Sequence, residues 1–409
     1  MPIKKWRTEN PDETWVIENA IGQILGVYGS TQENESPPHL RQPDKVEYMS
    51  DSVITRLLET FESDIVFGNL LTPIYFDDSK SPWEKVFELL CHPLVGNPKN
   101  TRFLSLETIM SKLESLNNLK LPLQIVIPAF PFKDQNPFRT NASADHVDLG
   151  EIVTLIKMHS LALSLFQAYP FGVEWIIVSD GNAYSDIFHI EQDLTMRYQS
   201  HLRAFRNRLN LQKSIQIIDM KEMTDRVEGF HEIRSRINST LWKLVNAHEN
   251  RAFEEKIDTL ARGMRWNLNT RKYLSAFSEE QLWLGLHITK LAEEQLENGV
   301  KKLSGLLRED GIRSAIDYLS YNLAMKWLDV LPNFFPHAFR ATVHPKSNQI
   351  VLPQISDSYP WNGTALVQGD VLDIKSIQIE DYCKIMNRNV MVTEMRLHGN
   401  SPPFFYQIL

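Results

Sequence analysis

The chain has 409 residues, 43% of them hydrophobic, enough to bury a sizeable core and, by length, to form two or three structural units. Its 43 basic against 51 acidic residues leave a net charge of −8, which opposes a broad grip on phosphate backbones and argues against a nucleic-acid partner. The two cysteines, Cys91 and Cys383, lack the paired spacing of a zinc site or redox motif, so no disulfide framework or thiolate metal site is indicated and a reducing cytoplasm fits best.

In chain order, the N-terminus "MPIKKWRTENPDETW" has basic residues without an apolar run behind them and so lacks the core of a secretory signal. The sequons at Asn141, Asn238 and Asn362 then carry little weight. Ser30 to Lys45 is polar and proline-bearing and predicts an exposed loop, closing a leader over 1–48. Ile54, Leu57, Leu58 and Phe61 share one helical face and "LETIMSKLESL" repeats the habit, which predicts a helical region over 49–120. The run "LQIVIPAF", a helix from Asp148 to Ala168, the run "EWIIVSD", a helix around Leu194 to Leu209 and the run "SIQIIDM" then alternate as in a parallel sheet. This βαβαβ signature predicts an α/β core over 121–345 with a mostly parallel sheet. Within it, 221–330 is a helical insertion. The short β-branched runs "AFRATVHP", "NQIVLPQ" and "GTALVQGDVLDIKSIQI" predict a β-rich C-terminal segment over 346–409. The most apolar stretch, "SLALSLFQAYPFGVEWIIVSD", is interrupted by Gln167, Pro170, Gly172 and Glu174, so no transmembrane helix is expected.

Ligands of open α/β sheets bind beyond the carboxyl ends of the strands, and four stretches there carry chemistry. In "IPAFPFKDQN", Pro128 and Pro131 fix φ and remove two donors, so the loop presents Phe132 and Lys133 in a restricted conformation; the plainer alternative is a strand terminator with a solvated lysine. In "IIVSDGNAYSD", Ser179, Asp180 and Gly181 leave the strand, and Asp180 and Asp186 pair to hold an ammonium group or act as acid and base, unless Asp-Gly is ordinary turn chemistry. In "HVDLGEI", Asp148 and Glu151 form a capping box, which is compatible with their also facing a pocket. In "AFRATVHP", Arg340 and His344 point to the same side of a strand as an anion clamp, or are a surface arginine and an incidental histidine. There is no GxGxxG, Walker loop, GxSxG elbow or HExxH pair.

Taken together and in this order, these residues resemble the isonitrile (isocyanide) synthases of the pyoverdine/dityrosine biosynthesis family. The resemblance lies in the KxxN of Lys133 and Asn136, in "DLGE" with Asp148 and Glu151, in "YPFG", "SDGNAYSD", Tyr198 of "MRYQSHLRAF", "RATVHP" and "YPWNG". It implies a Rossmann-like enzyme that joins the α-amine of an amino acid, often aromatic, to carbon two of ribulose 5-phosphate, which becomes the isonitrile carbon. It implies no organic cofactor, with the sugar phosphate as co-substrate, and the absence of metal-ligand spacing adds the expectation that no metal is needed. By the same resemblance Lys133, Arg340 and His344 hold the sugar phosphate, with Lys133 also catalytic as a proton donor, Asp180 and Asp186 serve the amine or base work, and Glu151 is a second base. Phe132, Asn136, Asp148, Ser179 and Tyr198 complete the substrate-binding set. The implied partner is a downstream P450 or iron oxygenase acting on the product. Thr342 stands where the family more often has Ser, and 221–330 matches poorly outside "ARGMRWN". The alternatives are a divergent member that formylates or condenses amino acids, and a sugar-phosphate or amino-acid binding protein without catalysis.

Overall fold

The aliphatic run from Leu123 to Pro128 is the middle strand of a parallel sheet in the computed structural model. The structure describes residues 43–62, 79–93, 95–247, 251–287, 297–343, 346–353, 360–368, 374–377, 391–397 and 401–408. The expected leader and exposed loop lie outside these residues up to position 42, as do Cys383 and His344.

The chain begins with β1 (Lys45–Tyr48), α1 (Asp51–Glu62), α2 (Pro82–Cys91), α3 (Asn100–Phe103) and α4 (Leu106–Leu119). The core follows as β2 (Leu123–Pro128), α5 (Leu149–Ala168), β3 (Val173–Ser179), α6 (Gly181–Tyr184), α7 (Gln192–Arg208) and β4 (Ile215–Asp219). Helices α8 (Met220–Asp225), α9 (Phe230–Ala247), α10 (Arg251–Arg265), α11 (Glu279–His287), α12 (Asn298–Trp327) and α13 (Val330–Phe334) form the expected insertion. The chain closes with β5 (Phe339–Thr342), β6 (Ile350–Val351), β7 (Thr364–Gln368), β8 (Ile374–Ile377), β9 (Val392–Arg396) and β10 (Pro403–Ile408).

The first sheet has the order β4-β3-β2-β5-β6, with every pairing parallel. Strands β2, β3 and β4 are rich in Ile and Val because both faces of the sheet are covered. Ile125, Ile127, Trp175, Ile177, Ile215, Ile217, Phe339 and Ala341 enter one core, built with α5, α7, α2 and α4. Val126, Ile176 and Val178 point the other way, into a second core made by α8, α9, α10 and α12. Each fully buried aliphatic side chain there contributes roughly 1.5–3 kcal/mol relative to exposure. The alternation leaves Arg340, between Phe339 and Ala341, on the second face, under the helical insertion.

Helix α5 is long and apolar enough to cross a bilayer, but 78% of its apolar window is buried inside the protein, as a core helix lying on the sheet. The second sheet, β1-β9-β10-β7-β8, is mixed: β9–β10 and β7–β8 are antiparallel, β1–β9 and β7–β10 parallel. It is the β-rich C-terminal segment with one addition, since β1 comes from the chain's beginning and pairs Lys45 with Thr393.

Candidate functional site

Beyond the carboxyl ends of β2 and β3 the backbone is tightly constrained. Phe130 adopts φ 59°, a conformation that costs a non-glycine residue free energy, and its buried ring sits 5.1 Å from that of Trp361. Ser179 Oγ donates to the Phe130 carbonyl at 2.8 Å, tying the two strand ends together. A Cβ on Gly181 would lie 1.9 Å from the Pro131 carbonyl oxygen, so glycine is required where the "FPF" and "SDG" loops meet. Phe132 is turned into the second core, its ring 6.0 Å from Phe188. Asn136 is spent on the loop: its Oδ1 accepts from Phe138 N–H at 3.0 Å and its Nδ2 donates to the Trp266 carbonyl at 3.2 Å.

Lys133 is fully buried, and the solvated alternative does not hold. Its ammonium hydrogens go to Asp148 Oδ2 at 2.9 Å, Glu151 Oε1 and Oε2 at 2.8 and 2.9 Å, and the Pro360 carbonyl at 2.8 Å. The capping box is present: Gly150 N–H donates to Asp148 Oδ1 at 2.7 Å and Asp148 N–H to Glu151 Oε2 at 3.1 Å. The same carboxylates thus cap α5 and enclose the lysine. Tyr198 on α7 donates to Glu151 Oε1 at 3.2 Å, and Ala365 N–H of β7 donates to Asp148 Oδ2 at 3.2 Å. One cation shared by two carboxylates leaves an excess negative charge in a dry site. Burial and the Asp148 charge accordingly push Glu151 well above the usual carboxylate range. Burial pulls Lys133 down, but the two carboxylates outweigh it and hold it above its ordinary value. Burial depresses the neighbouring His146 to about 4, so it is neutral and adds no charge. The cluster therefore leaves Lys133 no hydrogen for a phosphate, contrary to the sequence-based expectation.

The open part of the site is on the other face. Asp180 and Arg340 each keep some accessible surface while protein encloses most of them. Asp180 Oδ1 is buried without a hydrogen-bond partner. Burial lifts Asp180 to about 7, with Asp219 adding to the rise and Arg340 opposing it. Burial lowers Arg340 to about 10, while Tyr184, Asp180 and Tyr318 favour its charged form. Among the described residues the Arg340 side chain makes no hydrogen bond or ion pair, while its main chain pairs with Val126 in the sheet. Aromatic rings wall the pair: Tyr184 lies 5.1 Å from Tyr318 and 5.4 Å from Tyr321. Tyr198 feels the charge of Asp180 and touches Glu151, which makes it the link between the open and sealed halves.

The structure separates Asp180 from Asp186, correcting the expected pair. Asp-Gly opens a single helical turn, with Tyr184 N–H bonded to the Asp180 carbonyl at 3.0 Å, and six residues on the chain has turned Asp186 out to solvent. The other expected clamp cannot be assembled from what is described: β5 ends at Thr342, and His344 lies outside the described residues. Among the described residues no three His, Cys, Asp or Glu side chains converge to hold a metal ion. Sequence reasoning missed Asp219, although "SIQIIDM" ends in an aspartate just as "EWIIVSD" does. It had no signal for Tyr318 or Tyr321, which arrive from a distant helix.

Comparison with known proteins adds the following. The family model described as pyoverdine/dityrosine biosynthesis protein matches residues 114–382. An L-tyrosine isonitrile synthase of Xenorhabdus nematophila is 22% identical over 271 residues, 64% of this chain and 73% of that protein. An L-tryptophan isonitrile synthase of Fischerella ambigua is 22% identical over 282 residues, 66% of this chain and 79% of that protein. The crystal structure of the PvcA protein from Pseudomonas aeruginosa aligns with a TM-score of 0.46 at 18% identity, covering 85% of this chain and 100% of that one.

Proposed function

The chain belongs to the pyoverdine/dityrosine biosynthesis protein family, and we propose that it is an isonitrile synthase which converts the α-amine of an amino acid using carbon two of ribulose 5-phosphate. The observation that carries the reading at the level of residues is the Asp180–Arg340 pair. A partly accessible carboxylate with one unpartnered oxygen and a guanidinium without an ion pair among the described residues lie within reach of each other's charge, beside Tyr184, Tyr318 and Tyr321. Such groups await a ligand with one cationic and one anionic end, which an amino acid and a sugar phosphate together supply.

An amine must lose its proton before it can attack a carbonyl carbon. Asp180, lifted to about 7, holds the ammonium group as a carboxylate and accepts its proton near neutral pH. Arg340 takes the phosphate, where its planar fork matches two oxygens at once. Lys133 acts at one remove: by fixing Glu151 and Asp148 it holds the start of α5 and the loop from Phe130 to Asn136 in register with Asp180. Tyr184, Tyr318 and Tyr321 shape the amino-acid side of the cleft. An isonitrile is reactive and binds metals, so the next step in the sequence is oxidation by a P450 or iron oxygenase.

The test is direct. Purified protein is incubated with ribulose 5-phosphate and each amino acid in turn, and products are read by mass spectrometry for the isonitrile or its formamide hydrate. Product that forms equally without the sugar phosphate, or no product from any amino acid, contradicts the proposal.

A further inference from the structure

Asp219 ends β4 as Asp180 follows the end of β3, and the register places Asp219 directly opposite Ser179. Both Asp219 oxygens are occupied as acceptors. Oδ1 takes Glu222 N–H at 3.1 Å, and Oδ2 takes the Asn182 amide and, at 2.8 Å, that of Gln199. Asn182 is itself gripped by Thr195 and lies two residues after Asp180, on the turn that carries it. The result is a buried carboxylate, pinned from three sides by α6, α7 and α8, beside one whose Oδ1 has no donor. Two carboxylates at adjacent strand ends with such unequal partners divide the proton between them in one direction only.

We propose that Asp219 is a positioning residue: its carboxylate, held by donors from α6, α7 and α8, is fixed beside Asp180, so that Asp180 is the carboxylate that takes up and releases the proton. The transfer moves one proton from the substrate ammonium to the Asp180 carboxylate, leaving a neutral amine and a carboxylic acid. The titratable groups whose charge reaches Asp180 are Arg340 from β5, Asp219 from β4, Tyr198 from α7 and Tyr321 from α12. Asp219 is the one carboxylate among them. The inference rests on the reading of Asp180 as the proton acceptor, and its test separates the two.

Protein carrying 13C-enriched aspartate carboxyl groups is titrated by NMR, with the Asp180 signal assigned by its loss in Asp180→Asn. Asp219→Asn and Asp219→Ser are compared with the parent protein, since both replacements keep a side chain able to cap α8. Thermal melting confirms that they fold. In both, Asp180 is expected to titrate about half to one pH unit lower, and the acid limb of kcat/KM is expected to move by the same amount. A midpoint unchanged in the folded variants overturns the inference. A midpoint that falls while the kinetic limb stays in place supports the inference about Asp219 and removes instead the reading of Asp180 as the base.

Discussion

Replacing Lys133 by Met tests whether the lysine is a ligand-binding group or the centre of a buried ion cluster. Methionine keeps the length and most of the volume but leaves Asp148 and Glu151 facing each other without a cation. Removing one partner of a buried pair costs about 3–5 kcal/mol, because the remaining charge is uncompensated. At roughly 1.2 °C per kcal/mol for a chain of this size, the midpoint of thermal unfolding should fall by about 4–6 °C. Lys133→Met combined with Glu151→Gln removes one of the two orphaned charges while Asp148 continues to cap α5. The double variant should therefore recover about 1–2 kcal/mol relative to the single one, a coupling typical of residues in direct contact. Far-UV circular dichroism melts and urea titrations of the parent protein, both single variants and the double variant give all four corners of the cycle. If Lys133→Met melts within about 1 °C of the parent while ribulose 5-phosphate affinity collapses, the lysine faces the ligand and the cluster as described is wrong.

Arg340→Lys should weaken sugar-phosphate binding about tenfold to a hundredfold by calorimetry, since a point charge cannot reproduce a two-pronged contact. Asp180→Asn should abolish turnover yet raise stability at pH 8. With its folded pKa lifted to about 7, Asp180 binds a proton more readily folded than unfolded, so its stabilising contribution is complete below the unfolded value and fades as pH rises towards 7. Melting curves from pH 4 to 8 should thus fall less steeply for the asparagine variant, and identical slopes would argue against the shift. Gly181→Ala drives a methyl group into the Pro131 carbonyl, so it should lower both the melting midpoint and kcat, displacing Asp180, by about 1–3 kcal/mol in stability.

The parallel core was legible because its signals are local and redundant. Aliphatic runs ending at Pro128, Ser179 and Asp219 alternate with amphipathic or capped helices, and the Asp148–Glu151 spacing announced the start of α5 to the residue. What was not legible depends on partners distant in sequence. Nothing in "PFKDQN" says that Lys133 turns inward, because its two carboxylates lie 15 and 18 residues on and its carbonyl partner at Pro360 is 227 residues away. Asp186 looked like a partner for Asp180 by spacing alone; the single helical turn that follows Asp180 leaves Asp186 exposed instead. β1 was invisible as part of the C-terminal sheet, since its pairing residues in β9 are nearly 350 positions away.

The central claim is that this protein moves one carbon from a sugar phosphate onto an amino-acid nitrogen. Ribulose 5-phosphate labelled with 13C at carbon two, incubated with the protein and pooled amino acids, decides it by mass spectrometry and 13C NMR. One amino acid should gain a single labelled carbon bonded to its former amine nitrogen, and the Asp180→Asn protein should give none. Unlabelled product, or label spread over several carbons, would contradict the account.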